Sequence, residues 1–339
     1  MGFARVAAMA AVVLVHAYSP FVSTTYTDLG GPTWWGAHVV DAALRWCVPV
    51  FVMISGALLL RPRDEDVGGF YRKRWARIGV PLLVWTAAYL LWQFWRDGLG
   101  FPDSVAQAAS GSPSIHLYFL YVIAGLYVFT PFLRTVVAHT SRTGLWWFAG
   151  AALSVGMVDQ LSALVDGVGG VTAATRFLPF LGYYLLGWLV AEREQGPRDA
   201  LHGSVALVLG TTGTVLGAWG AAATAGEWGT GAAYVYDFLS PTVIVASVGA
   251  FLLLRAWGTQ VAGLGPESRV NRAIAVLSGL SFGVYLVHVM VLYTLRDLGG
   301  TPDGLVGLTL AAGYAVATTL ISLALVAVAQ RIPLLRATV

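Results

Sequence analysis

GFARVAAMAAVVLVHAYSP, residues 2–20, sets two ionisable side chains, Arg5 and His16, in an otherwise apolar run that continues to about Val22. About 20 predominantly apolar residues are what a helix needs to cross the hydrocarbon core of a bilayer. The two side chains are eleven residues apart, about three turns. That spacing predicts one shared face, with the groups separated by roughly 16 Å. Arg5 then sits at a membrane edge and His16 deep within it. The stretch His16-Ala17-Tyr18-Ser19-Pro20 is a poor signal-peptide cleavage site, so the segment reads as a retained span.

The rest of the chain extends this reading. Of 339 residues, 57% are hydrophobic and only 11% charged, with mean hydropathy +0.72, whereas a soluble domain carries about 25% charged residues. A water-soluble fold is thereby excluded. Spans are expected at 3–22, 38–60, 78–96, 115–134, 145–165, 177–191, 204–225, 238–256, 274–295 and 305–329. The fold class is therefore all-α, a polytopic membrane protein of about ten transmembrane helices forming a single membrane domain over 1–339.

Basic residues orient the spans, because cytoplasmic segments are enriched in them. With both termini cytoplasmic, sixteen of the 20 fall inside, Arg96, Arg176 and Arg296 fall outside, and Arg45 lies within a span. Lys73 is the only lysine, and the net charge of +3 comes from arginine. The single cysteine, Cys47, excludes an internal disulfide framework and a thiolate-rich metal cluster. No polar stretch approaches the length of an appended soluble domain.

An ionisable group at the bilayer centre costs roughly 3 kcal/mol or more unless paired or hydrated, so each is a candidate functional residue. His16 can take and return a proton near neutral pH, which suits a general base acting on a hydroxyl, with a transient acyl carrier as the other catalytic role; an inward-facing histidine bonded to a neighbouring helix is the simpler reading. In DAALRWCVPVFVMISGALLL, residues 41–60, Asp41 and Arg45 are four apart and can neutralise each other while lining a polar cavity. Pro49 frees a backbone carbonyl there, and Ser55-Gly56 lets another backbone come close.

The loop RPRDEDVGGFYRKRWARIGVPLL, residues 61–83, suits anionic lipid. Arg74 and Arg77, three apart before Pro81, also suit phosphates. His116 opens an aromatic run with Tyr118, Phe119 and Tyr121, either an interfacial belt or a sugar-stacking surface. Tyr285 and His288 share a face at a depth comparable with His16, as a proton relay or a reaction site. His38, His139 and His202 lie in or near loops and receive no role.

Taken in order, the Arg5 to His16 spacing, R..VPVFVMISGALLL, YRKRWARIGVP, LYFLYVIAGLYVFTP, FLPFLGYYLLGWLV and SFGVYLVH resemble the acyltransferase-3 family, in its compact form without a C-terminal hydrolase domain. The resemblance implies a membrane O-acyltransferase. His16 would be the catalytic histidine, Arg5 its motif partner, and Arg74 and Arg77 the pair that engages the acyl donor, acetyl-CoA. Asp41, Arg45, Ser55, His116, Tyr285 and His288 are candidates for the substrate or its cavity. The acceptor expected is a carbohydrate-type hydroxyl, in a bacterial cytoplasmic membrane. Membrane lipids are the other partners and a homo-oligomer stays open, with no metal and no nucleic acid expected. Two rival readings use the same residues: a proton-coupled secondary transporter built on His16, Asp41, Arg45 and His288, and a non-catalytic glycan sensor built on the aromatic surfaces.

Overall fold

The computed structural model describes residues 1–23, 29–63, 65–166, 172–301 and 303–339, and all regular structure among them is helical. In chain order the helices are α1 (Gly2–Ser23), α2 (Pro32–Leu44), α3 (Cys47–Leu59), α4 (Val67–Arg74), α5 (Val80–Asp97), α6 (Phe101–Ser110), α7 (Tyr118–His139) and α8 (Arg142–Asp166). They continue as α9 (Leu181–Glu192), α10 (Asp199–Ala225), α11 (Thr230–Tyr236), α12 (Pro241–Ala262), α13 (Arg269–Gly299), α14 (Gly304–Ala329) and α15 (Pro333–Arg336). A π-helical turn, Trp75–Gly79, joins α4 to α5.

Eight helical segments among the described residues are long and apolar enough to span a membrane, and each coincides with an expected span. The remaining two expected spans take other forms. Residues 145–165 fall in α8, which is long enough, but Asp159 and Gln160 dilute its apolar run. Residues 177–191 form a shorter apolar helical stretch, Leu178–Glu192. Its first turn is a 3-10 helix around Pro179, and it stops at Arg193, which is extended.

The second expected span is broken rather than continuous. α2 ends at Arg45 and α3 restarts at Cys47, with Pro49 in its first turn. Proline has no N–H to donate to the carbonyl four residues back, here that of Arg45, so the helix interrupts where the sequence places a half-buried cation. The polar stretch 97–114 contains α6: Pro102 opens it and Gly111, at φ +69°, closes it. A left-handed residue ends a helix at little cost only when it is glycine.

Contacts divide the chain into two compact units, and the boundary falls within α3. The first comprises Met1–Phe51 and Glu194–Ala327. In it α10 and α12 approach closely at Gly203, Gly210 and Gly249, where a Cβ would meet the facing backbone; small residues permit this packing in lipid, where no hydrophobic force drives helices together. Its interior includes Phe21, Val22, Ala37, Ala218 and Tyr236, and a second cluster of Val13, Ala17, Leu292 and Ala315.

The second unit comprises Val52–Arg193 and Val328–Val339. There α3 meets α9 through Gly56, whose missing Cβ leaves room for the Tyr184 carbonyl, and Gly187, which does the same for Met53. Near the start of α4, the Glu65 carboxylate receives Lys73 at 3.0 Å and Arg134 at 3.2 Å, while Arg134 Nε donates to the Leu59 carbonyl at 2.6 Å. Those cations hold the Glu65 carboxyl below its ordinary pKa, Lys73 first. Large side chains such as Trp147 on α8 stay exposed, as lipid-facing residues of a membrane protein do.

Candidate active site

In the first unit, α1 and α13 bring the His16 and His288 rings to 5.3 Å between centroids, tilted by 40°. The Tyr285 ring lies 5.8 Å from that of His288 and 6.4 Å from Phe51. His288 is fully buried and His16 half-buried. Nδ1 of His288 is 2.7 Å from the Tyr285 carbonyl. A carbonyl only accepts, so Nδ1 carries the proton and Nε2 is the basic nitrogen of the neutral ring. Arg5 is half-buried three turns back along α1.

A second feature of α1 was not legible in the sequence. Pro20 lies inside the helix and cannot donate to the carbonyl four residues earlier, which is that of His16. The guanidinium of Arg296 on α13 takes that place, donating to the His16 carbonyl at 3.0 Å and to the Ala17 carbonyl at 2.8 Å. Arg296 had been read only as a basic residue of an outer loop, and it anchors the backbone that carries His16. The proline in His-Ala-Tyr-Ser-Pro signals the orphaned carbonyl; no local pattern points to a donor 280 residues away.

Asp41 and Arg45 form the expected pair, with Arg45 Nη2 at 2.6 Å from Asp41 Oδ2 and the guanidinium 4.5 Å from the centre of the Tyr236 ring. Asp41 is fully buried. His38, set aside in the sequence, is buried beside them: it stacks on Trp34 at 4.3 Å, its Nε2 donates to the Val215 carbonyl at 2.9 Å, and the Tyr236 hydroxyl donates to the His38 carbonyl at 2.8 Å and lies 2.6 Å from its Nδ1. Residues 38, 41 and 45 recur at helical spacing, the signal that could have joined His38 to the pair.

The remaining candidates belong to the second unit. Arg74 and Arg77 bracket the start of the π turn, in which the Val80 N–H reaches the Trp75 carbonyl five residues back. Such a widened turn accommodates Pro81, which can make no α-helical bond of its own. Arg77 is exposed. Arg74 is half-buried 5.2 Å from the Phe70 ring and 6.0 Å from Tyr127, and its Nε has no hydrogen-bond partner among the described residues. Two cations, one exposed and one with an unused donor, suit an incoming phosphate. Ser55 is half-buried beside Gly56. His116 is buried edge-on against Tyr89 at 4.9 Å, with Nδ1 3.3 Å from Ser114 Oγ. Among the described residues no group of three or more potential ligands could hold a metal ion.

A family model described as an acyltransferase domain matches residues 1–327, which span most of both units. No curated protein and no solved structure gives a significant match.

Proposed function

The chain is a member of the acyltransferase-3 family and a membrane acyltransferase, and on that basis we propose that it moves an acetyl group from coenzyme A to a hydroxyl of a sugar or glycan. The observation that carries this reading is the His16–His288 pair, an imidazole couple brought together by two apolar helices each long enough to span a membrane. In the proposed reaction a ring nitrogen of His16 takes the proton of the acceptor hydroxyl as its oxygen attacks the thioester carbonyl. The carbon–sulfur bond breaks, the ester forms, and coenzyme A leaves as a thiolate that is then protonated.

His288, with its basic Nε2, would share that proton with His16. Arg5 is the motif partner of His16. Arg74 and Arg77 would engage the donor's phosphates, and Asp41, Arg45, Ser55, His116 and Tyr285 are the candidates for contact with substrate. The setting proposed is a bacterial cytoplasmic membrane, with ten spans and both termini inside.

Purified protein given acetyl-labelled acetyl-CoA and an acceptor panel should release coenzyme A only when a glycoside or glycan is present. His16→Ala should lower that release by about a thousandfold, within the range for a positioned general base, while insertion and thermal stability persist. An active, folded His16→Ala protein overturns the assignment. A proton-coupled transporter would leave the labelled donor untouched.

A further inference from the structure

Beyond the histidine pair along α1, the first unit forms a half-open cavity of about 300 Å³. Its walls include Ser19, Asp41, Arg45, Trp228, Tyr236 and Asp237. Two polar atoms of the ion pair are left over: Asp41 Oδ1 and Arg45 Nε are buried and have no hydrogen-bond partner among the described residues. A buried carboxylate oxygen without a donor costs free energy that a fold does not ordinarily accept. Asp41 already uses Oδ2 on Arg45, so the second oxygen still calls for an O–H or N–H from something that enters the cavity.

The walls say what that something is. An acceptor on Asp41 and a donor on Arg45 suit hydroxyl groups, which both give and take hydrogen bonds. Tyr236 and Trp228, edge to face at 4.9 Å, add aromatic surface for an apolar C–H face. The volume is at the small end of ligand pockets and holds about one ring. Ser19 lies one turn beyond His16 on the same face of α1, about 4.5 Å further along the axis. A hydroxyl projecting from the cavity along α1 therefore heads toward the imidazole.

We propose that this cavity is the acceptor subsite and that it takes a single pyranose-sized sugar ring, gripped by Asp41 and Arg45 and packed against Trp228 and Tyr236. The assignment rests on the acyltransferase reading for its consequence, while sugar binding itself can be measured without the reaction. His38 and Trp34 act as positioning residues: Tyr236 is hydrogen-bonded to His38, and Trp34 stacks on the same imidazole.

Calorimetric titration of the full-length protein in lipid nanodiscs with methyl glycosides of several hexoses, in the absence of acetyl-CoA, tests the proposal. Saturable binding of at least one glycoside is expected, weakened about tenfold or more in Asp41→Asn and in Trp228→Ala. Trp228 is half-buried rather than enclosed, so its alanine variant keeps the test open if Asp41→Asn fails to fold. Absence of binding by the unmodified protein, unchanged binding in both folded variants, or equal binding of aliphatic alcohols of similar volume would each overturn the subsite. Binding that the variants weaken, with no coenzyme A release from any glycoside, would uphold the cavity and refute the proposed reaction. Glycoside-dependent release with unaltered acceptor KM in the variants would do the reverse.

Discussion

The two compact units hold their polar groups by opposite means. In the first, the groups around the histidine pair are held by named partners: the His16 carbonyl by Arg296, His288 Nδ1 by the Tyr285 carbonyl, Asp41 Oδ2 by Arg45, and His38 by Tyr236 and Val215. In the second, the candidate donor-binding cations stand at a π turn, with Arg77 exposed and Arg74 resting on aromatic faces. Proton transfer to a reacting hydroxyl needs one geometry, and fixed partners supply it. Phosphate capture tolerates long side chains that order only when the ligand arrives. In the proposed reaction the first unit would then be a rigid chemical centre and the second an adaptable binding surface.

The largest effect that would sharpen this division concerns the adaptable side. Replacing Arg74 and Arg77 together with glutamine should raise the acetyl-CoA KM by about a hundredfold, since a hydrogen bond to a charged group contributes roughly 1.5–3 kcal/mol. The acceptor KM should stay within about twofold. Steady-state kinetics in both substrates measures the split, and an unchanged donor KM would remove these residues from the donor site.

On the rigid side, Arg296→Gln leaves the His16 carbonyl without its charged donor. The expected result is a fall of about tenfold in kcat, following the cost of a weakened buried hydrogen bond. Donor KM should change little, because Arg296 positions the backbone of His16 and touches no donor in this reading. A rise in donor KM with unchanged kcat would blur the distinction between the two units.

How much of this was legible in the sequence follows the reach of each interaction. The eight long spans, the Arg5–His16 spacing and the Asp41–Arg45 pair are local patterns, readable at a period of 3.6 residues. Close backbone approach at Gly56 was also anticipated, and the structure identifies the partner as α9. The π turn escaped notice because Pro81 signals disturbance without saying whether the helix breaks or widens. Arg296 and Trp228 escaped because their meaning lies in contacts far along the chain. His38 was passed over as a loop residue, although α2 begins at Pro32 and carries it well inside.

A smaller effect bears on the scaffold of the second unit. Gly56→Ala places a methyl group where the Tyr184 carbonyl sits, so α3 and α9 must separate. Overpacking of this kind costs about 1–3 kcal/mol. Thermal unfolding in detergent should show a lowered midpoint, with activity at low temperature reduced less than in Arg296→Gln. An unshifted midpoint would mean the two helices have slack that the contact does not reveal.

The smallest effect concerns the clip at Glu65. Lys73 and Arg134 stabilise the ionised carboxylate, so its pKa in the folded protein lies below the unfolded value of 4.5. For a depressed carboxyl the stabilisation is present above the unfolded value and disappears as pH falls through the folded one. At pH 7, Glu65→Gln should lower the unfolding midpoint by no more than about 2 °C, the scale of a surface ion pair in a chain of this size. As the pH is lowered past the carboxylate range the two proteins should converge, because the unmodified side chain is then neutral as well. A gap that persists undiminished into acid would show that glutamine disturbs the start of α4 through shape rather than charge, and the Arg134–Leu59 hydrogen bond would then be the part of the clip that matters.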